Sequence, residues 1–289
     1  MSIEARLEPN KPLKELSTFG IGGPARLFIT IETLDEMIAL RKYINREKIP
    51  YWVVGKGSNS LFDDRGFDGL VILNKIDFIE MEEGSLYVGA GYSFSLLGAQ
   101  TARKGWGGLE FASGIPGSVG GAIYMNAGAG GAEACDVLTS VGWIDVEGNF
   151  IETPRKELTF SYRTSPFQKK EAMIVSGRFQ LEKVEGARKK QLEIIAYRTG
   201  TQPYGDKSAG CIFRNPKEKG AGALIEACGL KGKRIGGAEV SPMHANFIVN
   251  RGDATAADVL ELARFIQEEV RQKTGHNLQM EVRKVPHDV

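Results

Sequence analysis

The chain has 289 residues, 42% hydrophobic and 25% charged, and its 37 Lys and Arg nearly cancel its 36 Asp and Glu, leaving a formal net charge of +1. That composition excludes disordered and fibrous classes, and the neutral balance supplies no field to gather nucleic acid or an anionic membrane. No apolar run approaches the ~20 residues of a membrane helix, and Met1-Ser2-Ile3-Glu4-Ala5-Arg6 lacks a secretory pattern, so a cytoplasmic location is expected. Cys135, Cys211 and Cys228 are odd in number and outside any CxxC or Cys/His spacing, which argues against a disulfide frame and a metal site. His244, His276 and His287 are the only histidines, so chemistry based on histidine has few candidates.

In chain order, residues 26–31 predict a strand and Thr33-Leu34-Asp35-Glu36 opens a helix with a capping box; Leu34, Met37, Ile38 and Ile44 share one face. Tyr51-Trp52-Val53-Val54 is a second strand, running directly into Gly55-Lys56-Gly57-Ser58-Asn59-Ser60-Leu61. Strands are predicted at 70–73 and 85–90, and a helix over 95–104 stopped by Gly105. The region 137–183 is β-rich, with 138–145 and 172–181 its clearest strands. A basic helix follows from about Ala187, then a short helix over 221–228 ended by Gly229. A long helix over 255–274 has Asp253 near its start, the stripe Val259, Ala263, Ile266 and Val270, and Gly275 at its end. The last strand spans 278–285. The length predicts several subdomains, here 1–75, 76–186 and 187–277, with a C-terminal strand in 278–289.

Gly105–Gly131 holds ten glycines in 27 residues, interleaved with Ile115, Val119, Ile123, Tyr124 and Met125, which a flexible linker would not show. Such a run is disfavoured unless backbone must turn sharply or lie against something flat and polar, as a nucleotide is. Gly55-x-Gly57-Ser58-Asn59 also follows a strand, where N–H groups and a hydroxyl can converge on a phosphate. It has neither the third glycine of a Rossmann fingerprint nor Walker A spacing, and by itself reads equally as a tight turn. Two such loops roughly 60 residues apart suit a two-part ligand such as a dinucleotide. Thr18-Phe19-Gly20-Ile21-Gly22-Gly23-Pro24-Ala25 is a third cluster, read as a turn before the first strand.

Three single residues carry both a bland and a chemical reading. Arg163, in Ser161-Tyr162-Arg163-Thr164-Ser165-Pro166-Phe167, is a surface arginine or, flanked by aromatic residues, a desolvated guanidinium able to hold developing negative charge. Cys211, in Ser208-Ala209-Gly210-Cys211-Ile212-Phe213-Arg214-Asn215-Pro216, is a small buried hydrophobe or a proton donor, since a thiol has a reference pKa of ~8.5. Glu281 lies on the polar face of 278–283, a face that is solvated by default.

Taken together and in order, TFGIGGPA (18–25), GKGSNSL (55–61), GIPGSVGGAIYMNAGAGG (114–131), SYRTSPF (161–167), SAGCIFRNP (208–216), GGAEVSPMHANFIVN (236–250) and LQMEVR (278–283) resemble the UDP-N-acetylenolpyruvoylglucosamine reductase family over nearly the whole chain. The resemblance implies an α+β protein: a two-subdomain FAD-binding fold of the vanillyl-alcohol-oxidase and p-cresol-methylhydroxylase type plus a smaller substrate-binding domain. It implies FAD as cofactor, NADPH as co-substrate, a UDP-sugar as substrate, a step of peptidoglycan synthesis, and the shorter type II form, expected to be monomeric. Gly55, Gly57, Ser58, Asn59 and Ser60 match one FAD segment; Ile115, Pro116, Gly117, Ser118 and Gly121 match the second. Arg163 and Glu281 match the pair that polarises the substrate carboxylate, and Cys211 the proton donor, where serine is commoner in the family. Tyr124, Asn126, Asn215 and Glu239 match the substrate side. Two other readings are an FAD-dependent alcohol or lactone oxidase on the same fold and a nucleotide-binding module without turnover.

Overall fold

Helix α1, Leu34–Glu47, begins where its sequence predicts: the Glu36 N–H donates to the Thr33 hydroxyl while the Glu36 carboxylate accepts from the Thr33 N–H. The structure, a computed structural model, describes residues 2–288. Its contacts divide the chain into two compact units, the first made of residues up to Glu8, Phe28–Lys56 and Leu70–Arg198, the second of Pro9–Leu27, Gly57–Gly69 and residues from Thr199 onward. The second unit thus gathers two short segments from what the sequence assigns to the first FAD-binding subdomain, and the basic helix stays with the first unit as far as Arg198.

In the first unit α1 buries Met37, Leu40 and Ile44, and Tyr51–Val54 runs parallel to Leu70–Leu73. A five-stranded antiparallel sheet has the order Phe150–Pro154, Leu138–Ile144, Met173–Gln180, Ser85–Gly89, Ile79–Glu82. Helices α2, Phe94–Arg103, and α3, Val119–Met125, join Leu86, Val88, Val141, Phe167 and Phe179 in its core. α3 interrupts what the sequence reads as one long glycine loop. Gly120 and Gly121 are poor helix formers, but Val119, Ala122 and Ile123, at helical spacing, are buried and hold the turn. α4, Ala187–Thr201, buries only Ala187 and Gln191.

The second unit has its own core, in which Phe19, Ile21, Leu61, Ile212, Phe213, Val240, Ile248, Leu278 and Val282 pack with two helices. These are α5, Ala221–Ala227, and α6, Ala256–Thr274. A three-stranded antiparallel sheet orders Arg234–Ile235, Ala238–Val240 and Ile248–Asn250. α6 is capped by Thr255 in a box with Asp258 rather than by Asp253, and Asp64 accepts from the N–H groups of Ala256 and Ala257. Gly275, at φ 75°, closes the helix in left-handed backbone, and Val259, Ala263, Ile266 and Val270 are buried as the stripe predicts. The final strand is shorter than expected: regular pairing covers Arg283–Val285, parallel to Ser60–Phe62, with one isolated bridge earlier at Met280.

Candidate active site

Within the first unit the two glycine motifs touch. A Cβ on Gly55 would lie 2.2 Å from Ser118 Oγ, so a side chain at 55 would occupy the position of the second motif. Ser93 and Ser118 form an isolated antiparallel bridge, built from Phe94 N–H to Gly117 C=O at 3.0 Å and Val119 N–H to Tyr92 C=O at 2.9 Å. Their hydroxyls cap α2 and α3, accepting from Leu96 N–H and Gly121 N–H. Lys56 Nζ donates to Ser93 Oγ at 2.8 Å. Gly121 is exposed, with only Ser118 Oγ within 4 Å of where its Cβ would be, which leaves the backbone of α3 open on that side.

In the second unit the first motif continues through Gly57, held at φ 60° so close to its neighbour that a Cβ would sit 1.8 Å from the Leu16 carbonyl oxygen. The N–H groups of Gly57, Ser58 and Asn59 donate to no other described residue. Consecutive N–H groups around a left-handed glycine make an anion-binding turn. Three consecutive N–H groups of this kind suit a pyrophosphate, and Gly57, Ser58, Asn59 and Ser60 would hold that of FAD. Among the described residues no cluster of His, Cys, Asp and Glu has metal-binding geometry.

The third glycine cluster is more than a turn before a strand. Thr18 Oγ1 donates to Ser208 C=O at 2.7 Å, and the buried Asn250 donates Nδ2–H to Phe19 C=O at 3.0 Å. The cluster therefore joins the Gly57 turn to the segment that carries Cys211. That segment has a neighbour on each side: Cys211 bridges Phe247 and Phe213 bridges Met280, while Glu281 N–H donates to Ile212 C=O at 2.7 Å. Cys211 and Glu281 therefore sit on hydrogen-bonded neighbouring segments, and Asn59 Nδ2 donates to Glu281 C=O at 3.3 Å.

Arg163 belongs to the first unit, in a two-sided turn where Ser161 and Thr164 exchange N–H···O bonds of 3.1 and 2.9 Å. It is one of few non-glycine residues at positive φ, 54°, a strained conformation for a long side chain. Its guanidinium donates to Gly128 C=O at 2.9 Å and lies 5.0 Å from the centre of the Tyr162 ring. Phe167 is buried below, and Gln168 donates to both Arg163 C=O and Tyr124 C=O. The environment is the partly desolvated one its aromatic flank predicts.

The residues expected on the substrate side have other commitments. Asn126 is 0% exposed, donates to Glu133 and Ser161 C=O, and accepts from Cys135 N–H; it ties the Arg163 turn to residues 133–135. Glu239 is 4% exposed, with one carboxylate oxygen on Arg234 and the other on Arg251. The Arg251 hydrogen bond, outweighing burial, holds its carboxyl below the usual range. Asn215 Oδ1 accepts from Ala221 N–H at the start of α5. Asn126 and Glu239 are therefore both buried with partners inside the protein. Sequence reasoning missed Lys56, Ser93, Gln168, Asn246 and Asn250; only the Asn-x3-Asn pattern after His244 offered a signal.

A strained glycine turn that presents three consecutive N–H groups is the kind of backbone that holds the phosphates of a nucleotide. Residues 25–154 match the family described as FAD binding domain, and residues 202–285 match the UDP-N-acetylenolpyruvoylglucosamine reductase C-terminal domain. The chain is 59% identical over 290 residues to a UDP-N-acetylenolpyruvoylglucosamine reductase of Protochlamydia amoebophila, covering 100% of this chain and 97% of that one. It is 49% identical over 286 residues to the Chlamydia trachomatis serovar L2 reductase, covering 99% and 98%. The crystal structure of the Thermus caldophilus reductase superposes with a TM-score of 0.82 at 39% identity, covering 97% of this chain and 99% of that one. The chain belongs to the UDP-N-acetylenolpyruvoylglucosamine reductase family. It is an FAD-containing oxidoreductase, as the order of its motifs implies.

Proposed function

We propose that this chain reduces UDP-N-acetylglucosamine enolpyruvate to UDP-N-acetylmuramate with NADPH, as a soluble cytoplasmic monomer of the type II form. The observation that carries the reading is the placement of Cys211 and Glu281 on adjoining segments of the unit that contains the family's C-terminal domain. FAD, when bound, carries the hydride from NADPH to the substrate double bond.

The residues of the chain supply the rest. Hydride addition at the terminal carbon pushes an electron pair toward the substrate carboxylate, so negative charge grows there. Arg163 and Glu281 act on it: the guanidinium stabilises it directly, and Glu281, as the carboxylic acid, would donate its O–H to the substrate carboxylate. The S–H proton of Cys211 then passes to the neighbouring carbon, the electron pair forms the new C–H bond, and the thiolate regains its proton from solvent. A thiol is several units more acidic than the serine hydroxyl common at this position, so proton delivery is easier, at the cost of susceptibility to oxidation. Asn215 and Tyr124 are further substrate-side residues that the family motifs imply. No helix among the described residues is long and apolar enough to cross a membrane.

The two half-reactions test the roles separately. Cys211→Ala should leave FAD reduction by NADPH intact and nearly abolish reoxidation by the enolpyruvate substrate, while Cys211→Ser keeps substantial turnover. Equal loss in both half-reactions would mark Cys211 as structural and overturn the assignment.

A further inference from the structure

The Cys211 segment is clamped by a residue that none of the sequence motifs singles out. Asn246 is 2% exposed. Its Oδ1 accepts from Phe213 N–H at 3.0 Å and its Nδ2 donates to Phe213 C=O at 2.8 Å. Its own carbonyl accepts from Ile212 N–H at 2.8 Å, and its own N–H donates to His244 Nδ1 at 3.2 Å. The side-chain amide thus pairs with both polar groups of one backbone unit, as a strand neighbour would. An amide is the one side-chain group of this size that offers a donor and an acceptor side by side.

The result is a three-layer backbone order: Asn246 and Phe247 on one side, Ile212 and Phe213 in the middle, Gln279 to Glu281 on the other. Phe213 is itself buried, so loss of the amide leaves two backbone groups without partners. The middle segment then has an incentive to shift toward water or toward Gln279–Glu281, and Cys211 lies two residues away. We infer that Asn246 is a positioning residue for Cys211, setting the thiol's place for proton delivery without touching substrate. The inference rests on the assignment of Cys211 as proton donor.

Asn246→Asp keeps the shape and the acceptor but removes the donor to Phe213; Asn246→Ala removes both and serves if the aspartate variant does not accumulate. The purified FAD-loaded variants would be followed in each half-reaction, with alkylation of Cys211 measured by mass spectrometry as a second readout. The expected result is an unchanged rate of FAD reduction by NADPH and unchanged substrate Kd. Reoxidation by substrate should be slower by about 10²-fold, the cost of misplacing a reacting group by about 1 Å, and the Cys211 alkylation rate should change. In a Cys211→Ala background the same substitution should add nothing. Reoxidation and alkylation at wild-type rates, or an equal slowing that persists in the Cys211→Ala background, would overturn the inference. Full reoxidation activity in Cys211→Ala alone would instead overturn the role of Cys211.

Discussion

Gly57→Ala isolates the geometry of the first glycine turn. At φ 60° an alanine is strained by about 1–2 kcal/mol. Gly130, at φ 63°, has nothing within 4 Å of its Cβ position, so Gly130→Ala carries the same strain and nothing else. At Gly57 the added carbon would also lie 1.8 Å from Leu16 O and 2.9 Å from Ser17 Cα, which is backbone that cannot swing aside as a side chain can. Bringing the nearest of these to a tolerable 3.0 Å requires the turn to move by at least about 1.2 Å, enough to misdirect the N–H groups of Gly57, Ser58 and Asn59. Loss of one charge-assisted hydrogen bond to a pyrophosphate costs about 1.5–3 kcal/mol, or roughly 10- to 100-fold in Kd. Titration of the apoprotein with FAD, read by quenching of flavin fluorescence, should show that loss for Gly57→Ala and a Kd within about twofold of wild type for Gly130→Ala, with both melting somewhat lower. FAD binding by Gly57→Ala at wild-type strength, or equal weakening in Gly130→Ala, would refute the argument.

Three further outcomes follow from individual environments. Asn126→Ala strands Ser161 C=O, Glu133 and Cys135 N–H; it should destabilise the protein by about 1–3 kcal/mol, seen in denaturant titration, and slow reoxidation by substrate through the Arg163 turn. Glu239→Gln should lower the melting temperature near neutral pH. Because the Arg251 and Arg234 hydrogen bonds lower the carboxyl's folded pKa, its stabilising effect is fully present above the unfolded glutamate value of ~4.3 and is lost as pH falls through the folded value. The gap between wild type and variant should therefore narrow on acidification, and a constant gap would contradict the ion-pair explanation. Asp64→Ala, which frees Ala256 and Ala257 N–H at the start of α6, should cost about 1–2 kcal/mol in the same titration, comparable to loss of an N-cap.

Most elements were legible because their signals are local. The Thr33–Glu36 box, the stripe of α6 and Gly275 each act within a turn or two of chain, and each appears where predicted. α3 was hidden because two glycines mask three buried residues whose packing decides the matter. Arg163 and Gly57, both in sequence motifs, stand at positive φ. Asn126 and Glu239 were read toward the substrate because polar residues in such motifs suggest ligand contact. Their partners inside the protein, seven to 35 residues distant for Asn126 and five to 12 for Glu239, are set by the tertiary fold and leave no local signal. The roles of Asn246 and Asn250 are hidden for the same reason, since they serve backbone groups 33 and 231 residues away.

Anaerobic stopped-flow on the purified protein tests the central claim most directly. Flavin absorbance should be bleached by NADPH and return when UDP-N-acetylglucosamine enolpyruvate is added, with UDP-N-acetylmuramate formed in equal amount. In deuterated water the product should carry one deuterium at the carbon beside the carboxylate. A protein that binds FAD and is bleached by NADPH, yet stays reduced in the presence of the enolpyruvate substrate, would contradict it.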